Sequence, residues 1–268
     1  AEGPCSMIWL PHLFGIHTVA TIHGLDWQRA KWGGFATKFL KFGEKTAAKY
    51  ADELIVLSEG TRDYFKKTYG RETVFIPNGI DVQNEKKADI ITKKYGLEKD
   101  GYILFLARIV PEKGLHYLID AFMQTDTDKK LVIAGGVSHS SEYAKQIHDM
   151  AKDDRIIFTG FVEGDELWEL YYNCRMYVLP SDVEGMPISL LEAMACGCEC
   201  LVSDIDTAKN VVGEYGYTFK KSDVNDLKSK LCEMLGKQKA DKAEQIEYVK
   251  NNYSWDEITD RTLELYKK

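Results

Sequence analysis

From Pro180 to Asp204 the chain reads PSDVEGMPISLLEAMACGCECLVSD, and its punctuation spells a turn, a helix and a strand. The apolar run Met176 to Leu179 just before it has strand character. Glu184 falls in a Gly/Pro turn, and Pro187 stands where a first helical residue would be, a position at which a missing N–H is tolerated. Ile188 to Ala195 is a strong helix former with Glu192 on its first turns, and Gly197 ends it before Cys200 to Val202 resumes a strand. A helix N-terminus carries unpaired N–H groups and about half a positive charge, which suits a phosphate. One carboxylate before it and one upon it suit hydroxyls on either side of that phosphate. Glutamates on helices are usually solvated surface. This helix is apolar (Leu190, Leu191, Ala193, Met194, Ala195), so it packs on a sheet and gives its carboxylates a less ordinary setting.

A second constellation lies upstream. Tyr102 to Ala107 (YILFLA) reads as a buried parallel strand, and it ends in Arg108, with Lys113 and Gly114 opening the next helix over Leu115 to Met123. Cations at the carboxyl end of a strand stand where open α/β sheets bind ligands. An Arg fork and a Lys point charge suit a diphosphate, the bland alternative being a surface Arg paired with Glu112.

Strand-like runs recur at Thr18 to Ile22, Leu54 to Leu57, Val74 to Ile76, Ile103 to Ala107, Leu131 to Ala134, Ile156 to Thr159, Met176 to Leu179, Leu201 to Val202 and Tyr217 to Phe219. Helical stretches separate most of them, so the fold class is α/β with parallel sheets covered by helices. Turn residues at Pro77-Asn78-Gly79-Ile80-Asp81 mark a domain boundary.

These 268 residues carry a formal net charge of −7, which argues against general nucleic-acid binding. No apolar run approaches the ~20 residues of a bilayer span, and no signal peptide is visible, so cytoplasm is the expected location. Cys196-Gly197-Cys198-Glu199-Cys200 lacks a complementary Cys or His cluster at structural-zinc spacing. Together with Cys5, Cys174 and Cys232 these cysteines read as free thiols rather than metal ligands. Asp126-Thr127-Asp128 and Asp204-Ile205-Asp206 match D-x-D formally, and the first lies in a polar connection that reads as a solvated loop. Ala134-Gly135-Gly136 lacks the rest of a G-x-G-x-x-G loop, so NAD is not expected.

ARIVPEKG, LVIAGG, IIFTGFV, VLPSDVEGMPISLLEAMACG and LVSD, in this order over roughly Ile76 to Phe219, resemble the donor-binding domain of the family 4 glycosyltransferases of the GT-B fold. The upstream TIHGLDWQRAKWGGF resembles the bacterial polysaccharide-building branch. The resemblance implies two Rossmann-like domains: residues 1–80 as the remnant of the acceptor-side domain, 81–252 as the nucleotide-sugar donor domain, and 253–268 as a helix crossing back to the first. Eighty residues supply about three strands, so an N-terminally truncated chain is expected, short by about a hundred residues on family domain sizes. Ser254 and Glu257 read as a capping box for that last helix.

The resemblance further implies transfer of a sugar from a nucleotide diphosphate to a glycan or lipid-linked acceptor, with retention of configuration and without a metal or other cofactor. Arg108 and Lys113 would stabilise the leaving diphosphate. Glu192 would accept hydrogen bonds from ribose hydroxyls and Glu184 from the donor sugar. His23 would contact the donor sugar or the reacting centre, the 186–188 helix entrance (Met186, Pro187, Ile188) with Gly185 would line the donor, and backbone near Val162 would face the base. The leaving phosphate can take the acceptor's proton on the same face, so no enzymic nucleophile is needed. Gly185-Met186-Pro187 replaces the commoner Gly-Phe-Gly, and Pro187 removes one N–H donor. Two other readings stay open: a non-catalytic nucleotide-sugar-binding fragment and a sugar-nucleotide epimerase of the same fold.

Residues 26–49 interleave Arg29, Lys31, Lys38, Lys41, Lys45 and Lys49 with Trp27, Trp32, Phe35, Phe39 and Phe42, against Asp26 and Glu44. Such a segment lies on an anionic membrane, as a peripheral protein would, or forms a core-facing helix with a solvated face.

Overall fold

The computed structural model describes residues 2–28, 33–136 and 141–267. It divides into two compact units: residues 1–79, 183–187 and 253–268 form one, and residues 80–182 and 188–252 the other. The short segment 183–187 was expected inside the donor domain and instead groups with the first unit.

In the first unit β1 (Val19–Ile22), β2 (Glu53–Val56) and β3 (Val74–Phe75) form a parallel sheet in the order β1-β2-β3. Alternation along β2 builds two layers. Leu54 and Val56 join Ala20, Ile22, Ala47, Ala48 and Phe65 on one side. Ile55 joins Ile76, Ile258 and Leu265 on the other. The closing helix Trp255–Tyr266 thus covers the second face, tied by Arg261 donating to the Phe75 carbonyl at 2.6 Å and by a 3.0 Å contact between His17 Nε2 and the Leu265 carbonyl. Ser254 occupies its N-cap position but makes no side-chain capping bond, so the expected capping box does not form. Burial of Ile258 and Leu265 anchors the helix instead.

The second unit is a six-stranded parallel sheet in the order β6-β5-β4-β7-β8-β9. Its strands are β4 (Tyr102–Leu106), β5 (Lys130–Ala134), β6 (Ile156–Gly160), β7 (Met176–Leu179), β8 (Cys200–Ser203) and β9 (Tyr217–Phe219). The continuous apolar runs of β4, β5, β7 and β8 are explained by burial on both faces. Helices Leu115–Met123 and Val224–Leu235 close one side through Leu118, Ile119, Phe122, Leu227 and Leu231. Helix Ile188–Ala195 buries Leu190, Leu191 and Met194 and is backed by helix Ala243–Asn252. The strand order reverses between β4 and β7, and the carboxyl ends at such a reversal form the ligand crevice of open α/β sheets.

Candidate functional site

In the second unit, backbone hydrogen bonds draw the carboxyl ends of four strands into one rim. Ala107 N–H donates to the Ala134 carbonyl at 3.1 Å, Ile109 N–H to Gly136 at 3.1 Å, and Gly135 N–H to Gly160 at 2.8 Å. Asp182 N–H donates to the Glu112 carbonyl at 2.9 Å, linking the ends of β4 and β7. Gly114 sits at φ +66°, and a Cβ there would collide with the Pro180 carbonyl. A side chain would therefore push apart the two loops that flank the reversal.

Arg108 is exposed at the end of β4, and Lys113 is half-buried in the 3-10 turn Pro111–Lys113. A pair of cations at a switch point can hold and neutralise a diphosphate. Glu192, one turn into helix Ile188–Ala195, is half-buried and accepts a hydrogen bond from Tyr171 at 2.8 Å through Oε2. Desolvation raises its pKa above the ordinary carboxylate value, and the Tyr171 bond partly opposes that. Ile188 is exposed at the helix start, and Val162 is buried just past β6.

Two tyrosines that the sequence analysis passed over fix this helix. Tyr171 also donates to the Ser189 carbonyl at 3.2 Å, and Tyr177 on β7 donates to Ser189 Oγ at 2.9 Å and to the Leu106 carbonyl at 3.4 Å. They couple the start of the helix to the end of β4. In the sequence Tyr177 shows only as a tyrosine within the apolar run Met176 to Leu179, and Tyr171 as one of a Tyr-Tyr pair in a mixed helical stretch.

The other residues singled out lie in the first unit. The 183–187 segment is clamped there on two sides. Any Cβ on Gly185 would collide with the His23 carbonyl, so this glycine is required for close backbone approach. Asn78 donates from its backbone to Met186 Sδ at 3.1 Å and from its side-chain amide to the Met186 carbonyl at 3.3 Å. Met186 and Pro187 are buried, and Glu184 is half-buried. His23 is exposed, and partial desolvation of its imidazole holds its pKa below the ordinary histidine value. Glu184 and Glu192 thus fall in different units, although they stand only eight positions apart.

The family model described as glycosyl transferases group 1 matches residues 87–253, more than half of the chain. This chain belongs to the group 1 glycosyltransferases. A second model, glycosyltransferase family 4, matches residues 2–84. Among relatives of this glycosyltransferase, α-maltose-1-phosphate synthase of Mycolicibacterium smegmatis is 26% identical, over 96% of this chain and 74% of that protein. The O-antigen chain mannosyltransferase B of Escherichia coli is 26% identical, over 66% of this chain and 48% of that protein. Anabaena HepE, solved in complex with UDP and glucose, superposes with a TM-score of 0.87 over 100% of this chain and 76% of its own, at 19% identity. Sucrose-phosphate synthase from Thermosynechococcus elongatus gives a TM-score of 0.82 at 22% identity, over 97% of this chain and 71% of its own. The fold of the glycosyltransferase is GT-B.

Other motifs of this glycosyltransferase have ordinary roles. Cys5, Cys174, Cys196, Cys198 and Cys200 are buried free thiols and Cys232 is an exposed one. Among the described residues no group of three His, Cys, Asp or Glu could hold a metal ion. In the D-x-D matches, the Thr127 carbonyl accepts from Arg155 at 2.7 Å, and Asp204 Oδ1 accepts from Lys221 N–H at 2.8 Å. Among the described residues, no helix is long and apolar enough to cross a membrane.

Proposed function

We propose that this glycosyltransferase moves a sugar from a nucleotide-diphosphate donor to a glycan or lipid-linked acceptor in cell-surface polysaccharide synthesis, with retention of configuration. The observation that carries the reading is the pair Arg108 and Lys113 at the β4 end, where the strand order reverses. Cations there stabilise charge as it develops on the leaving diphosphate. Glu192 holds ribose hydroxyls: Tyr171 occupies Oε2, which leaves Oε1 to accept. Backbone at Val162 lies against the base. Ile188 adds the free N–H groups of a helix start, while Pro187 contributes none. Glu184 accepts from donor-sugar hydroxyls, Gly185 and Met186 shape its turn, and His23 contacts the sugar or the reacting centre. Retention follows if the leaving phosphate takes the acceptor's proton on the face it departs from.

The nucleotide is proposed to be a uridine diphosphate, in line with the UDP and UDP-glucose complexes of HepE. The polysaccharide role is in line with the O-antigen mannosyltransferase relative. Titration calorimetry with UDP, GDP and dTDP tests the donor site. Selective UDP binding weakened by both Glu192→Ala and Lys113→Ala is the expected result, and a folded chain that binds none of the three overturns it. Transfer assays with UDP-sugars in EDTA test the metal-independent step: turnover should persist. Binding without transfer or hydrolysis would favour the non-catalytic nucleotide-sugar module.

A further inference from the structure

One buried phenol reaches the Glu192 carboxylate from a neighbouring helix. Tyr171 stands on helix Gly164–Asn173, is fully buried, and bonds across to helix Ile188–Ala195. Its backbone is anchored on the same side, because the Tyr171 carbonyl accepts from Cys198 Sγ at 3.1 Å and from Cys174 Sγ at 3.3 Å. Its ring packs against those of Trp168 and Tyr177, with centroids 6.0 and 5.9 Å away. A side chain locked at both ends in this way can hold a functional group in one direction.

The hydroxyl has one proton and two acceptors. Glu192 Oε2 lies at 2.8 Å and the Ser189 carbonyl at 3.2 Å. A carboxylate outcompetes a neutral carbonyl for a donor, so the proton points to Glu192 while that group is ionised. Once Glu192 is protonated, its own O–H can donate to the phenol oxygen, and the phenol proton can turn to Ser189. Burial pushes the Tyr171 phenol far above its ordinary value, so it stays a donor at any working pH.

Charged neighbours are committed elsewhere. On the Tyr171 helix, Asp165 pairs with Lys86, Glu166 with Lys94, and Glu169 accepts from the Asp89 and Ile91 N–H groups. Helices Asp206–Val212 and Ala243–Asn252 pack on the Glu192 helix and keep their charged side chains exposed. β8 contributes the Cys200 thiol and the end of the Glu192 helix the Cys196 thiol, both pushed up by burial. The ionisation of Glu192 is therefore a balance between burial, which disfavours charge, and the Tyr171 bond, which favours it.

From this geometry we propose that Tyr171 is a positioning residue of the donor site, fixing Glu192 by Oε2 so that Oε1 is presented to the nucleotide ribose. The proposal rests on the reading of Glu192 as the ribose contact and adds the residue that sets its direction and its charge. Tyr171 itself touches no part of the nucleotide.

Calorimetric titration of the full chain with UDP and with dideoxy-UDP, which lacks both ribose hydroxyls, tests it. Tyr171→Phe should weaken UDP about fivefold at neutral pH and leave dideoxy-UDP at the parental affinity. On a Glu192→Ala background the same change should add nothing, because the carboxylate it positions is gone. The loss of UDP affinity on acidification should begin at higher pH in Tyr171→Phe, since burial then acts unopposed. Equal weakening of both nucleotides would reduce Tyr171 to a packing residue and overturn the proposal. Parental UDP affinity in Glu192→Ala would fell the ribose reading and the proposal with it. A weakened Glu192→Ala beside an unchanged Tyr171→Phe would overturn the proposal alone. Glu192→Asp leaves Tyr171 intact, keeps the charge and withdraws it from the phenol. It should weaken UDP as much as Glu192→Ala does, and parental affinity there would overturn the proposal even if Tyr171→Phe failed to fold.

Discussion

The two units solve the same problem, a carboxylate inside an apolar core, in different ways. In the second unit Glu199 is neutralised by a cation: Arg175 pairs with it, donates to the Met234 and Lys237 carbonyls, and leaves Glu199 Oε1 to accept from Ala240 N–H at 3.1 Å. In the first unit Glu44 has three neutral donors, from Trp27, Tyr64 and Tyr69. Desolvation first, then the bonds to Glu44, push the Tyr64 phenol up to about 12 and that of Tyr69 higher still. One arrangement puts the positive charge inside and the other leaves it on the surface as a lysine row.

The largest effect should come from breaking the ion pair. Arg175→Ala leaves Glu199 buried without its cation and should cost about 3–5 kcal/mol in urea unfolding. A loss below about 1 kcal/mol would mean that water reaches Glu199 and that the contrast between the units is false. Glu44→Ala strands three half-buried donors and should cost about 3 kcal/mol. Hydrogen exchange should localise its damage to residues 1–79 and leave protection of β4 to β9 intact. Loss of protection throughout would show that the two units unfold together.

Glu192 offers a finer test, because it joins burial to the proposed donor contact. Its pKa is raised in the folded state, so the native protein holds a proton that the unfolded chain releases. Stability from this group is therefore full below the unfolded carboxylate value and declines as pH rises through the raised folded value. Glu192→Gln should abolish that slope. Donor affinity should follow the opposite trend and fall as acidification protonates the carboxylate, with Glu192→Gln weakening UDP about tenfold at neutral pH. A variant with parental affinity would remove Glu192 from the donor site. The smallest effect belongs to Ser254→Ala, which should stay within about 0.5 kcal/mol because no capping bond exists to lose, against about 1 kcal/mol for a working cap.

Much of this was legible in the residues. Each of the nine expected strands has a counterpart within a residue or so at either end, and the helix after Pro187 begins at Ile188. Such features depend on local composition, on proline's missing N–H and on the apolar runs that a doubly covered parallel strand requires. The motifs around Arg108, Lys113, Glu184 and Glu192 were visible for the same reason, since short fixed spacings carry them.

What the sequence could not decide was set by contacts between residues far apart along the chain. Glu44 reads as one more surface acid in a lysine-rich helix until Tyr64 and Tyr69 close over it. Ser254 reads as a cap until burial of Ile258 and Leu265 shows what holds the helix. Segment 183–187 reads as part of the donor domain until Asn78 and the His23 backbone claim it. By itself the sequence determined an α/β chain, its strands and the short motifs that carry Arg108, Lys113, Glu184 and Glu192. Only the tertiary structure decided which carboxylates are buried and which tyrosines set the helix, because hydrogen-bond partners and burial depend on strand order, and local periodicity does not encode it.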